Sequence, residues 1–62
     1  MDEYMTTEEV AKLCRTSAGT VRYWRHHGTG PRGLQVGKRT LYAKSEVHSW
    51  LESKVLQEAE AG

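Results

Sequence analysis

Between Val10 and Ser45 the sequence carries eight cations, Lys12, Arg15, Arg22, Arg25, Arg32, Lys38, Arg39 and Lys44, and no aspartate or glutamate. All eight carboxylates and the remaining cation, Lys54, lie outside that segment, so a net charge of +1 conceals a basic middle and acidic flanks. Solvated surfaces usually intersperse the two signs. A long run of cations without one carboxylate creates a positive field suited to a polyanion, the plain alternative being a chance cluster on a solvated face. Other chemistries find little support. Cys14, His26, His27 and His48 are metal-ligand types, but no cysteine pair accompanies them at zinc-site spacing. The basic middle offers no paired carboxylates and no nucleophile–base set. Phosphate and base recognition by Arg and Lys is the expected chemistry, with no catalysis, no cofactor and no metal.

Sixty-two residues make one small domain, 1–62, with about 5–56 expected to fold. A chain of this size buries only about 60% of the surface its unfolded form exposes, so the core must come from a few large residues. The two Trp, three Tyr and scattered Val and Leu are the available stock, and 37% hydrophobic with 27% charged residues fits a folded, soluble chain. No apolar run approaches the roughly 18 residues of a membrane span, and no signal-peptide pattern opens the chain. A single Cys allows no internal disulfide, which suits a reducing cytoplasm.

The elements that must position the cations follow from caps and periodicity. After a short polar lead, Met1 to Tyr4, Thr6 and Glu9 have capping-box spacing, and Met5 and Val10 that of a hydrophobic staple. A helix over Thr7–Cys14 is predicted, with Val10, Leu13 and Cys14 as its apolar stripe. Arg15 and Thr16 make a tight turn. Ser17 caps a second helix, Ala18–His26, whose apolar positions are Val21 and Trp24 and whose end is marked by a left-handed Gly28. Gly30, Pro31 and Gly33 read as a loop. Leu34–Val36 and Arg39–Tyr42 flank Gly37-Lys38, a two-residue hairpin turn of type II′, pairing Leu34 with Leu41 and Val36 with Arg39. A third helix opens near Ser45, a candidate cap, with Val47, Trp50, Leu51 and Val55 inward, and Gln57 to Gly62 is expected to fray. The expected class is mostly α with a small β-hairpin, a winged helix-turn-helix.

In that order and spacing, Met5-Thr6-Thr7-Glu8-Glu9-Val10-Ala11 and Gly19-Thr20-Val21-Arg22-Tyr23-Trp24 resemble the first two helices of excisionase-type and MerR-like winged helix domains. Val36-Gly37-Lys38-Arg39, Tyr42, Val47 and Trp50-Leu51 resemble the wing and closing helix of the excisionase family. Length and layout are similar to those of small phage excisionases, the mycobacteriophage type among them. The resemblance implies recognition-helix contacts in the major groove through Arg22 and Tyr23, and wing contacts through Lys38 and Arg39. It also implies a recombination directionality factor that lines up on repeated sites of double-stranded DNA, bends it, and contacts a phage integrase in the cytoplasm of a bacterial host. MerR regulators continue into a long dimerising coiled coil and an effector domain; no sustained heptad is seen here, so no small-molecule effector is expected.

A second helix of about nine residues is roughly 14 Å long, enough to lay one face in a major groove about 12 Å wide. Its candidate contacts are Ser17, Ala18, Gly19, Thr20, Arg22, Tyr23, Arg25 and His26; those of the wing are Lys38, Arg39 and Thr40; Arg15 is a weaker phosphate candidate. Arg22 suits guanine, an internal salt bridge being its alternative, disfavoured by the lack of acids nearby in sequence. Tyr23 is either a phosphate donor or core, and Arg25 a phosphate contact or solvated. Ser17 and Thr20 also have ordinary capping roles. Trp24 and Trp50 are expected in the core rather than as stacking platforms, and Cys14 as a small buried hydrophobe. A transcriptional regulator using the same surface, and a protein-interaction module, are the competing readings. All DNA readings require Arg22 and Lys38 to face the same side of the molecule.

Overall fold

The computed structural model describes residues 3–61, with side chains through residue 59; Met1 and Asp2 of the expected lead and Gly62 of the expected tail lie outside the described residues. The chain begins with a strand, β1 (Tyr4–Thr6), followed by α1 (Thr7–Leu13), α2 (Ala18–His27), β2 (Gly33–Val36), β3 (Arg39–Ala43) and α3 (Lys44–Ala61). α1 and α2 form the helix-turn-helix and β2–β3 the wing, which is the expected winged helix-turn-helix.

Local signals set the helix ends. The Thr6 Oγ1 accepts from the Glu9 amide at 3.1 Å while Glu9 Oε1 accepts from the Thr6 amide at 2.8 Å, closing the capping box. Ser17 caps α2 by accepting from the Thr20 amide at 3.2 Å. Both helices end in the same six-residue lock. Thr16 N donates to Ala11 O and Arg15 N to Lys12 O after α1; Thr29 N donates to Trp24 O and Gly28 N to Arg25 O after α2. The left-handed position of the second lock is Gly28 (φ 67°), as predicted, after a helix that ends at His27, one residue beyond the predicted end. In the first lock it is Arg15 (φ 57°), a side chain in a conformation that costs an L-residue about 1–2 kcal/mol.

The hairpin has the predicted register, Leu34 opposite Leu41 and Val36 opposite Arg39, and Gly37 supplies a positive φ of 62°. It is not alone. β1 pairs antiparallel with β3, giving a three-stranded sheet in the order β1-β3-β2, so Tyr4 belongs to a strand rather than to a polar lead. The Lys44 amide donates to the Glu3 carbonyl at 2.8 Å and its Nζ lies 3.3 Å from Glu3 Oε2, fastening the start of β1 to the start of α3. Ser45 is the second residue of α3, not its cap, and the helix includes Gln57–Ala61, where fraying was expected. Leu56-Gln57-Glu58-Ala59-Glu60-Ala61 contains only good helix formers.

The core is small: Val10 and Ala11 of α1, Val21 of α2, Tyr42 of β3 and Val47 of α3, with Met5, Cys14, Ala18, Trp24 and Leu51 packed around it. Of the three tyrosines only Tyr42 is interior, 1% exposed, and its hydroxyl has no hydrogen-bond partner among the described residues. Leu13 and Val55, expected on inward stripes, are exposed, as are Leu34 and Val36 of the wing. Cys14 is partly buried and its thiol is pushed above the ordinary value by desolvation. Trp24 and Trp50 are half-buried and meet with ring centroids 4.9 Å apart; the Trp50 Nε1 donates to the Thr29 carbonyl at 3.0 Å. The two tryptophans therefore tie α3 to the loop that leads from α2 into the wing. No helix among the described residues is long and apolar enough to cross a membrane.

Candidate nucleic-acid interface

Ser17 starts α2 so that Val21 and Trp24 turn inward and Gly19, Arg22, Tyr23 and His26 fall at spacings of three and four, one exposed stripe along the helix. Arg25 is exposed on its flank, whereas Ala18 is half-buried against the core. The Ser17 and Thr20 hydroxyls lie 2.9 Å apart and bond each other at the first turn. Tyr23 is not core: it is 59% exposed, and its ring lies 4.1 Å from that of His27. Arg15 is exposed at the turn between the helices, on the strained backbone described above.

The requirement that Arg22 and Lys38 face one side is met. Arg22 of α2 and Lys38, Arg39 and Thr40 of the wing line a single cleft, completed by Thr6, Thr7 and Glu8 at the start of α1. The cap that launches α1, the stripe on α2 and the glycine turn of the hairpin thus converge on one concave surface. The cleft is cationic, but not purely so. Arg22 Nη2 lies 3.8 Å from Glu8 Oε2, the internal pairing that the charge distribution in sequence had disfavoured. The correction has a simple cause: Glu8 precedes the cation run in the chain but stands on α1, which packs against α2. Both side chains are largely exposed, so the pair is worth at most about 1 kcal/mol and is readily exchanged for a phosphate or a base edge.

A second concavity lies at the far end of α2. It is lined by Arg25, His26 and Arg32 over a floor of Gly28, Gly30, Pro31 and Gly33. Arg32 was counted in the basic run but assigned to no element, because a Gly-Pro-Arg-Gly loop carries no periodicity from which to place it. Among the described residues no group of three or more His, Cys, Asp or Glu is arranged to hold a metal ion.

Gly19 separates fold from interface experimentally. A Cβ there meets only the Ser17 Oγ, at 3.8 Å, so Gly19→Ala is expected to stabilise the protein by about 0.5–1 kcal/mol in chemical denaturation. The same methyl stands on the exposed stripe and is expected to weaken duplex binding several-fold by holding the helix off the groove floor. Binding unchanged in the stabilised variant would remove Gly19 from the interface.

A family model described as a helix-turn-helix domain matches residues 4–55, from β1 into α3 and including both concavities; the family includes excisionase-like DNA-binding proteins. No curated protein and no solved structure gives a match to this chain.

Proposed function

The chain belongs to the helix-turn-helix domain family, and from that premise we propose that it binds double-stranded DNA with α2 in the major groove and the β2–β3 tip on the adjacent backbone or minor groove. The observation that carries this reading is the cleft in which Arg22, Lys38 and Arg39 come together from two elements. In that arrangement Arg22 exchanges Glu8 for a guanine edge or a phosphate, Tyr23 offers its hydroxyl beside it, and Lys38 and Arg39 neutralise phosphates or enter a narrowed minor groove. Arg15 contacts a phosphate from the turn between the helices.

The test is affinity for duplex DNA as a function of salt. With about five phosphates neutralised, log K is expected to fall against log salt with a slope near −4.5. A flat response would replace the DNA reading with a protein-interaction module.

The finer proposal is an excisionase. The small contact area of one such module, about 600–1,000 Å², favours several copies on adjacent sites, where their sum bends the DNA and directs an integrase towards excision. For that partner α3 offers an apolar hollow of His48, Leu51, Glu52, Val55 and Leu56, on a helix that also carries the acidic Glu46 and Glu58. A recombination assay on attachment-site pairs decides the matter. Stimulation of excision with a cognate integrase supports the proposal; duplex binding without stimulation would leave a small transcriptional regulator as the reading.

A further inference from the structure

The concavity at the end of α2 has a composition that the wing cleft lacks. It gathers two arginines and a histidine with no carboxylate in its lining, and among the described residues neither Arg25 nor Arg32 takes part in a salt bridge, whereas Arg22 in the first cleft is already paired with Glu8. Two arginines on one hollow with no carboxylate in its lining give it a positive field, which an anion complements.

The hollow is also built rather than fortuitous. The loop that carries Arg32 is pressed onto α2 so closely that a Cβ on Gly30 would lie 2.6 Å from the Trp24 Cβ. Its Thr29 carbonyl is held by Trp50, and Pro31 is buried. Gly33, at the start of β2, brings Arg25 in from the other side: a Cβ there would sit 3.1 Å from the Arg25 Nε and 3.0 Å from the Thr40 Cγ2. Gly30 thus lets the loop approach α2 more closely than a side chain would allow, and Gly33 leaves Arg25 and Thr40 room that a Cβ would crowd. Thr40 also lines the first cleft, so the two concavities adjoin along the seam between α2 and the wing.

From this we infer a second phosphate site, in which Arg32 and Arg25, with His26 beside them, hold a backbone phosphate of the DNA strand that runs along the α2–wing seam. The spacing suits that strand. Arg22 and His26 are one helical turn apart, about 6 Å along α2, on the scale of the separation of neighbouring phosphates along one strand. Such a contact carries no base information; it sets the register of the duplex on the recognition helix. A deletion of Arg32 therefore weakens all sequences alike, unlike a deletion of a base-reading side chain. The inference rests on the DNA-binding reading above and adds Arg32 to it.

The experiment is a salt titration of duplex binding with wild type, Arg32→Gln and Arg32→Lys, on a binding-site duplex and on a scrambled one. With Arg25 left alone on the phosphate, the slope of log K against log salt is expected to become shallower by up to about 0.9 and affinity to fall by up to about eightfold at 0.1 M salt, equally on both duplexes. Arg32→Lys is expected to keep the slope. Wild-type slope and affinity in Arg32→Gln, or the same losses in Arg32→Lys, would overturn the site, the latter by giving Arg32 a packing role. Failure of the wild type itself to bind duplex in a salt-dependent way would instead overturn the DNA reading. Arg32 is exposed, so thermal melting of all three proteins is expected to coincide.

Discussion

The variant Arg22→Ala, Lys38→Ala, Arg39→Ala is expected to lose duplex binding about 500-fold at 0.1 M salt, with the slope of log K against log salt shallower by about 2.7. Each cation that neutralises a phosphate releases counterions, and at 0.1 M that release is worth about one order of magnitude in affinity. Three cations placed to make such contacts line one cleft, two on the hairpin tip and one on α2. What remains after the substitutions is not neutral: Glu8 stays in the cleft with no cation opposite it, and its repulsion of the backbone adds to the loss. The fold is expected to survive. All three side chains are exposed, and among the described residues the only ion pair broken is the solvent-screened Arg22–Glu8 pair. Circular dichroism melts close to those of the wild type, with binding gone, are therefore the expected pair of observations. A loss below tenfold with an unchanged slope would place the interface elsewhere on the molecule.

How much of this cleft the chain announces in advance depends on whether the signal is local. Ser17 and Gly28 bracket α2 by short-range hydrogen bonding alone, so the exposed stripe of Gly19, Arg22, Tyr23 and His26 can be drawn before any tertiary information exists. Gly37 does the same for the register of the wing. β1 is different. Three residues are too few to show alternation, and Met5 and Thr6 already read as a staple and a cap; the strand exists because β3, almost forty residues away in the chain, offers it an edge. The Glu8–Arg22 pair is hidden for the same reason, since a map of charge along the sequence places Glu8 in the acidic flank, whereas packing of α1 on α2 places it in the basic cleft. Arg32 is hidden because its position is set by contacts of other residues: the Trp24–Trp50 pair and the Trp50 bond to Thr29 fix the loop, and nothing in its own sequence does. Nor can composition separate Tyr42 from Tyr4 and Tyr23. Only the sheet decides, by putting Tyr42 on the inner face of its middle strand.

That position makes Tyr42 the site of the largest expected effect on stability. Tyr42→Ala removes the largest fully buried side chain among the described residues, from the strand that pairs with both others, where it faces Met5 on one side and Gly33 on the other. Truncation of a buried aromatic ring costs about 3–5 kcal/mol. A domain of this size has about 3–9 kcal/mol in all, so the alanine variant is expected to be unfolded or to melt tens of degrees lower. Tyr42→Phe separates the ring from its oxygen. The hydroxyl is buried without a partner among the described residues, a state that is unfavourable by about 1–3 kcal/mol. The phenylalanine variant is therefore expected to match the wild type or to gain up to about 1 kcal/mol, which in a protein this small raises Tm by about 4–8 °C. A loss of stability in Tyr42→Phe would mean that the hydroxyl is satisfied in solution. The consequence reaches the interface, because the Tyr42 ring, Thr40 and the Arg25 guanidinium all crowd the space beside Gly33. Taking the ring away releases the base of the wing from α2, and with it the seam along which both basic concavities are aligned; where Tyr42→Ala retains any fold, its duplex binding is expected to fall with its stability, while Tyr42→Phe keeps both.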